Sequence, residues 1–156
     1  MGEFFRELHV DNGIRKIKVN DDGEYIEVSV NDSTFFDRFA DFLVWIGSKE
    51  KELGQFGEDH KADDLKDPEV VREVVRKRTE TYRECCQRLD ILFGEGCCRK
   101  VFGNVVPDDV LIMDFLEQIT PVMEELGRER NKKLSVKYSR NRKGASSVKT
   151  LPGGDV

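Results

Sequence analysis

Leu89–Gly103 reads LDILFGEGCCRKVFG, and after Asn104-Val105 the chain continues VPDDVLIMDFLEQITPVMEE from Val106 to Glu125. An apolar helical run stops at Gly94. Gly94-Glu95-Gly96 permits a sharp reversal, and Cys97–Phe102 is long enough for one to two helical turns before Gly103 caps them. A further long helix opens near Pro107-Asp108-Asp109, where two carboxylates suit a helix N-terminus. Its apolar positions include Val110, Leu111, Met113, Phe115, Leu116, Ile119, Val122, Met123 and Leu126, with Thr120-Pro121 expected to kink or divide it. The spacing predicts a helical hairpin folded around Phe93, Val101 and Phe102.

Upstream of this stretch, Asp67-Pro68 is a helix start, with Asp67 as N-cap and Pro68 in the first turn. The helix it opens runs through Val71, Val74, Val75, Tyr82, Cys85, Leu89 and Leu92 to Phe93. Arg72, Arg76, Lys77, Arg78 and Arg83 interleave with Glu69, Glu73, Glu80 and Glu84, which is the pattern of a solvated face with i to i+4 ion pairs. The polar run from Gly54 to Asp67 reads as a loop or linker. Within it, His60 among Glu58, Asp59, Asp63 and Asp64 reads as solvated acidic surface, since the ligand register and turn glycine of a calcium loop are missing.

Nearer the N-terminus, Asp32-Ser33-Thr34 supplies a cap for another helix. Phe35, Phe36, Phe39, Phe42, Leu43 and Ile46 recur along it at helical spacing and form the aromatic half of the core. Trp45 lies beside that stripe, at the core's edge or as a partner contact. Strict alternation comes first of all: Ile17 and Val19, then Ile26, Val28 and Val30, flank Asn20-Asp21-Asp22-Gly23 and predict a β-hairpin. The segment from Phe4 to Val10, where Leu8 and Val10 alternate before an Asn12-Gly13 turn, suggests a third strand. The fold class is therefore α+β and mostly α-helical, a hairpin or three-stranded meander packed on a bundle of about three to four helices. Residues 1–126 form a single domain, and 127–156 a basic, partly disordered tail.

A chain of 156 residues, 38% of them hydrophobic, suits one domain burying roughly 70% of its unfolded surface. Charged residues make up 37%, well above the usual quarter, so the core is lean and the helices are well solvated. The formal net charge of −5 hides a segregation. Between Gly127 and Thr150, nine basic residues face Glu129 alone, a net of +8 that leaves −13 for the rest. An acidic body with a basic tail is the mark of an interaction arm or of a solvated terminus. Neither a signal peptide nor an apolar run of bilayer length is evident, which points to the cytosol and reduced thiols.

The four cysteines form two adjacent pairs, Cys85-Cys86 and Cys97-Cys98. Neighbours on a helix point about 100° apart, so each pair should turn one thiol inward and one outward. Core packing is the first reading, with a metal site or a redox pair as the alternatives. Two histidines, no nucleophile elbow and no phosphate-binding glycine loop argue against an enzyme, and no cofactor is implied. Nucleic-acid binding through the basic tail is the stronger rival, although Tyr138 is the one aromatic within that segment.

LDILFGEGCCRKVFG with VPDDVLIMDFLEQITPVMEE, and the opening ELHVDNGIRKIKVNDDGEYIEVSVNDSTFFDRFADF, resemble the tail assembly chaperones of long-tailed phages and prophages of Gram-positive bacteria. The resemblance implies a non-enzymatic protein of the host cytoplasm. It would bind the tape measure protein, keep that long helical chain soluble, and help the tail tube protein polymerise around it. Homo-oligomers along the client are compatible with it, and a membrane role is not. Side-chain character nominates Trp45, Phe102, Met113 and Met123 as apolar contacts and Arg128, Arg130, Lys132 and Lys133 for electrostatic steering. The alternative is a small phage protein that binds nucleic acid or inhibits host defence through its basic tail.

Overall fold

A computed structural model describes residues 6–59 and 66–144, the side chains of residues 142–144 excepted. The chain divides into two units, residues 1–113 and 114–156, each taken by itself below.

Alternation of apolar and polar residues builds β1 (Ile14–Lys18) and β2 (Tyr25–Ser29), an antiparallel pair in which Ile17 lies opposite Ile26 and Arg15 opposite Val28. Ile26, Val28 and the following Val30 are buried, whereas the partner strand is only half covered. Two strands form the sheet; residues 6–10 are irregular, so no third strand exists among the described residues, and Phe4 and Phe5 of that expected strand lie outside them. Leu8 and Val10 are exposed: two alternating apolar residues do not bury enough surface to hold a strand.

The hairpin turn is tied to the helical part. Asn20 Oδ1 accepts from the amides of Asp22 and Glu24, while its Nδ2 donates to Glu24 Oε1 and to the carbonyl of Lys100. Arg99 Nη2 donates to Glu24 Oε2 at 2.7 Å, and Lys100 Nζ donates to the carbonyl of Tyr25 at 3.3 Å. The Arg99 guanidinium, and after it the Asn20 amide, hold the Glu24 carboxyl below its ordinary value of 4.5. A carboxyl depressed on folding contributes stability that is fully present above its unfolded value and is lost as pH falls through the folded one. Urea midpoints should therefore drop as acid takes the protein below the ordinary glutamate range, and Glu24→Gln should flatten that part of the profile; an unchanged profile would rule the coupling out.

Helix α1 (Phe35–Asp59) buries Phe35, Phe39, Phe42 and Ile46 at intervals of four, three and four residues. It runs beyond the expected end at Gly54. Lys49 and Lys77 both reach Glu52, at 3.1 and 3.6 Å, and the Lys77 ammonium lies 5.9 Å from the Phe56 ring centre. Gln55 Nε2 donates to Asp59 Oδ1 one turn on. Lys77 from the next helix, with the two pairs inside α1, offsets the low propensity of Gly54 and Gly57. The expected acidic loop is thus partly helical, and His60, Asp63 and Asp64 lie outside the described residues.

Helix α2 (Pro68–Phe93) starts as expected: the Asp67 side chain accepts from the Glu69 amide at 2.9 Å, Pro68 opens the first turn, and Gly94 ends it. Its burial is confined to the second half, where Thr81, Tyr82, Cys85, Leu89, Leu92 and Phe93 face inward; Val71 and Val75 are exposed. Phe93 is the hub of the core, its ring edge-on to Phe35 and Phe39 at 6.0 and 6.1 Å. Thr81, the buried polar residue of this core, donates its hydroxyl to the carbonyl of Lys77. Helix α3 (Cys97–Phe102) follows the Gly94–Gly96 turn, with Gly96 left-handed at φ 80°, and is closed by Gly103, whose amide donates to the Arg99 carbonyl.

Helix α4 (Asp109–Gly144) crosses from the first unit into the second. In the first unit, Asp108 Oδ1 accepts from the Leu111 amide, Arg78 pairs with Asp109 at 3.6 Å, and Pro107 and Ile112 are fully buried. In the second, Phe115, Leu116, Ile119 and Met123 are buried. Of the two outcomes expected at Pro121, a kink or a division, the helix is not divided, and it continues past Leu126 to Gly144, within the segment expected as a basic tail. Proline removes one intrahelical hydrogen bond, and the helix formers just beyond its β-branched neighbours, Leu116, Glu117 and Gln118 before it and Met123, Glu124, Glu125 and Leu126 after it, favour the helix on both sides. Thr120 Oγ1 donates to the Leu116 carbonyl at 2.7 Å in the same turn.

Candidate partner-binding surface

Helix α1 carries two apolar stripes. One is the buried Phe35, Phe39, Phe42 and Ile46; the other, one residue on, is Phe36, Ala40, Leu43 and Gly47 with Val44 at its edge. A shift of one residue turns a helical position by about 100°, so the second stripe cannot enter the core with the first. Phe36 and Leu43, expected in the core, are exposed, and Val44 is 74% exposed. The sequence held a signal for this: apolar residues at both i and i+1 through two turns make a band wider than one packed face needs.

On the opposite flank of the core, α1 and α2 leave an open groove of about 240 Å³ lined by Arg38, Asp41, Phe42, Arg88, Ile91 and Leu92. Trp45 borders the same helix pair. Its ring is 6.1 Å from that of Phe42, and the Arg88 guanidinium sits 4.3 Å over it, a cation–π contact that fastens α2 to α1. Half-buried and stacked, Trp45 is an edge-of-core residue with one face accessible. Arg38 is bound to Asp32 at 3.0 Å. The Asp32 carboxyl lies below its ordinary value, first through the Thr34 hydroxyl and amide that donate to it.

The remaining nominated residues scatter. Phe102 is half-buried at the end of α3, and Met113 is exposed on α4. Trp45, Phe102 and Met113 thus sit on three different helices. Met123 is 3% exposed in the second unit, which removes it from any accessible surface. Arg128, Arg130, Lys132 and Lys133 are all exposed on α4. Lys132 and Lys133 share one face with Glu129, Val136, Lys137 and Arg140, spaced three and four residues apart, so four cations line a single strip of helix.

Cysteine placement follows the helix geometry for the first pair: Cys85 is buried and Cys86 half-buried. Cys97 and Cys98 are both buried, contrary to the expected split, because α3 is covered by α2 on one side and β2 on the other. All four are free thiols. Burial pushes Cys85 and Cys97 up to about 12. Among the described residues no cluster of three or more histidine, cysteine or carboxylate side chains is disposed to hold a metal ion, and no helix is long and apolar enough to cross a membrane.

No curated protein and no solved structure matches this chain. Its residues 22–149 match the family model described as a family of unknown function (DUF6673), a span of well over half its length, and the chain belongs to that family.

Proposed function

We propose that this protein is a non-enzymatic tail assembly chaperone that holds helical segments of a phage tape measure protein in the host cytoplasm and hands them to the tail tube protein. The observation that carries the reading is the second apolar stripe of α1. An amphipathic client helix presents apolar residues at the same spacing, and laying one stripe along the other removes both from water. Phe36, Leu43 and Val44 are the accessible anchors. Met113 on α4 and the open face of Trp45, on the opposite flank of α1, are adaptable contacts for other segments of a long client. The resemblance of the two quoted segments to the chaperone family supplies the identity of the client.

Co-expression with the large helical tail protein encoded beside it should raise that partner's soluble yield. Val44→Glu, placed at an exposed position where the fold tolerates it, should cut affinity about tenfold or more, equivalent to about 1.4 kcal/mol. An unchanged yield with the intact protein would sink the proposal.

The cationic strip of α4 favours a second reading, binding of nucleic-acid phosphates. Lys132, Lys133, Lys137 and Arg140 would each neutralise one phosphate, and the logarithm of the binding constant would fall with the logarithm of salt by about 0.9 per phosphate on duplex DNA. Salt-sensitive gel shifts that survive Val44→Glu and vanish on removing residues after Gly127 would favour this reading over the first.

A further inference from the structure

The four cysteines lie on α2 and α3, which pack together. Cys98 Sγ lies 3.7 Å from the carbonyl of Cys86 and donates to it, which brings the two residues into direct contact across the interface. Their positions differ in a chemically useful way: Cys86 is half-buried and reachable from solvent, whereas Cys98 is buried behind it. The backbone around Cys98 is fixed, since Asp90 Oδ1 accepts its amide at 2.9 Å. Cys85 and Cys97, the sequence neighbours, are buried in the core.

We infer that Cys86 and Cys98 form a thiol–disulfide site, with Cys86 as the attacking thiol and Cys98 as the resolving one, oxidised by low-molecular-weight disulfides such as oxidised glutathione. Cys86 thiolate attacks one sulfur of the oxidant, forming a mixed disulfide and releasing one thiolate. Cys98 gives up its proton and attacks Cys86 sulfur, so that the intramolecular bond forms and the second thiolate leaves. Two protein thiols are oxidised and one small disulfide is reduced to two thiols.

Electrostatics agrees with this division of roles. The neighbouring Cys98 side chain draws the Cys86 thiol below its ordinary value, against the opposing effects of burial and of Asp90; the same pairing, with burial, pushes Cys98 up. An accessible thiol with enhanced thiolate character beside a partner cysteine is the arrangement that reacts first with oxidants. The product would fasten α3 to α2 at a second point beyond the Gly94–Gly96 turn. Because Arg99 and Lys100 of α3 hold Glu24 and Tyr25, the hairpin would be fastened with it.

The test is treatment of the native, full chain with oxidised glutathione, followed by acid quenching, alkylation and non-reducing peptide mapping. Cleavage after Arg83, Arg88 and Arg99 leaves Cys85 with Cys86 on one peptide and Cys97 with Cys98 on another, and fragmenting the linked pair between the adjacent cysteines shows which two are joined. The expected result is one linked pair, Cys86 to Cys98, with no retained glutathione. Cys98→Ser should instead accumulate a stable glutathione adduct on Cys86, and Cys86→Ser should not react. Crosslinks between other cysteines, adducts spread evenly over all four, or an unreactive intact protein would each overturn the inference; the wild-type map decides even if a variant fails to fold.

Discussion

Phe93→Ala is expected to destabilise the protein by about 3–5 kcal/mol, the cost of emptying an aromatic position in a packed core. Phe93 is fully buried and meets both Phe35 and Phe39 edge to face. Truncation removes two aromatic contacts, each worth about 0.5–1.5 kcal/mol beyond area burial, and leaves a cavity between α1 and the end of α2. Since the Phe93 side chain lies at the last turn before Gly94, the walls cannot close by sliding a helix without breaking that turn. For a chain of this size the melting temperature should drop by about 10 °C. Urea denaturation checks it: the midpoint should fall at constant slope, and a loss below about 1 kcal/mol would show that the site collapses freely. Phe93→Leu keeps most of the volume and should cost much less.

Gly13→Ala should be nearly as damaging, for a reason found in the backbone. Gly13 is buried with φ at +74°, and a methyl group built on it would collide with the Asn31 side chain, lying 2.9 Å from that residue's Cβ. The left-handed conformation alone costs a non-glycine residue about 1–3 kcal/mol. The collision adds to this, because Asn31 cannot retreat by moving only a flexible tip when its Cβ is itself in the way. Gly23→Ala is the control. It has φ at +80° with open space around it, so it should show the backbone cost alone. Equal losses in the two variants, measured by denaturant unfolding, would refute the steric account.

Much of the architecture is written locally. The hairpin follows from period-two alternation around Asn20–Gly23, and α2 and α3 begin and end at Pro68, Gly94 and Gly103 because proline and glycine act on the backbone wherever they stand. What periodicity does not contain is which neighbour a face meets. Helix α1 outlasts Gly54 because Lys77, on another helix, reaches Glu52 and the Phe56 ring. Helix α4 passes Pro121 although an interior proline costs about 3 kcal/mol, more than propensity alone returns, and the buried Leu116, Ile119 and Met123 lie in the turns around it. Cys85 and Cys86 divide between core and surface as their 100° offset requires, whereas Cys97 and Cys98 do not, since α3 has covered faces on two sides. The candidate surface shows the same limit. Trp45 at the core edge was legible from its place beside the phenylalanine stripe, but the exposure of Phe36 and Leu43 depends on which face of α1 its packing partners cover.

Asn20 gives the hairpin a property that its length does not. A two-stranded ribbon alone is marginal in water, and its amides would trade protons with solvent almost as fast as a loop's. Here a single side chain braces the turn through Asp22 and Glu24 and reaches the carbonyl of Lys100, eighty residues later in the chain. Ribbon and α3 must then open together, so the slowest-exchanging strand amides inherit the lifetime of the helical core, and the N-terminal residues gain that protection only after the ribosome has released the chain beyond α3.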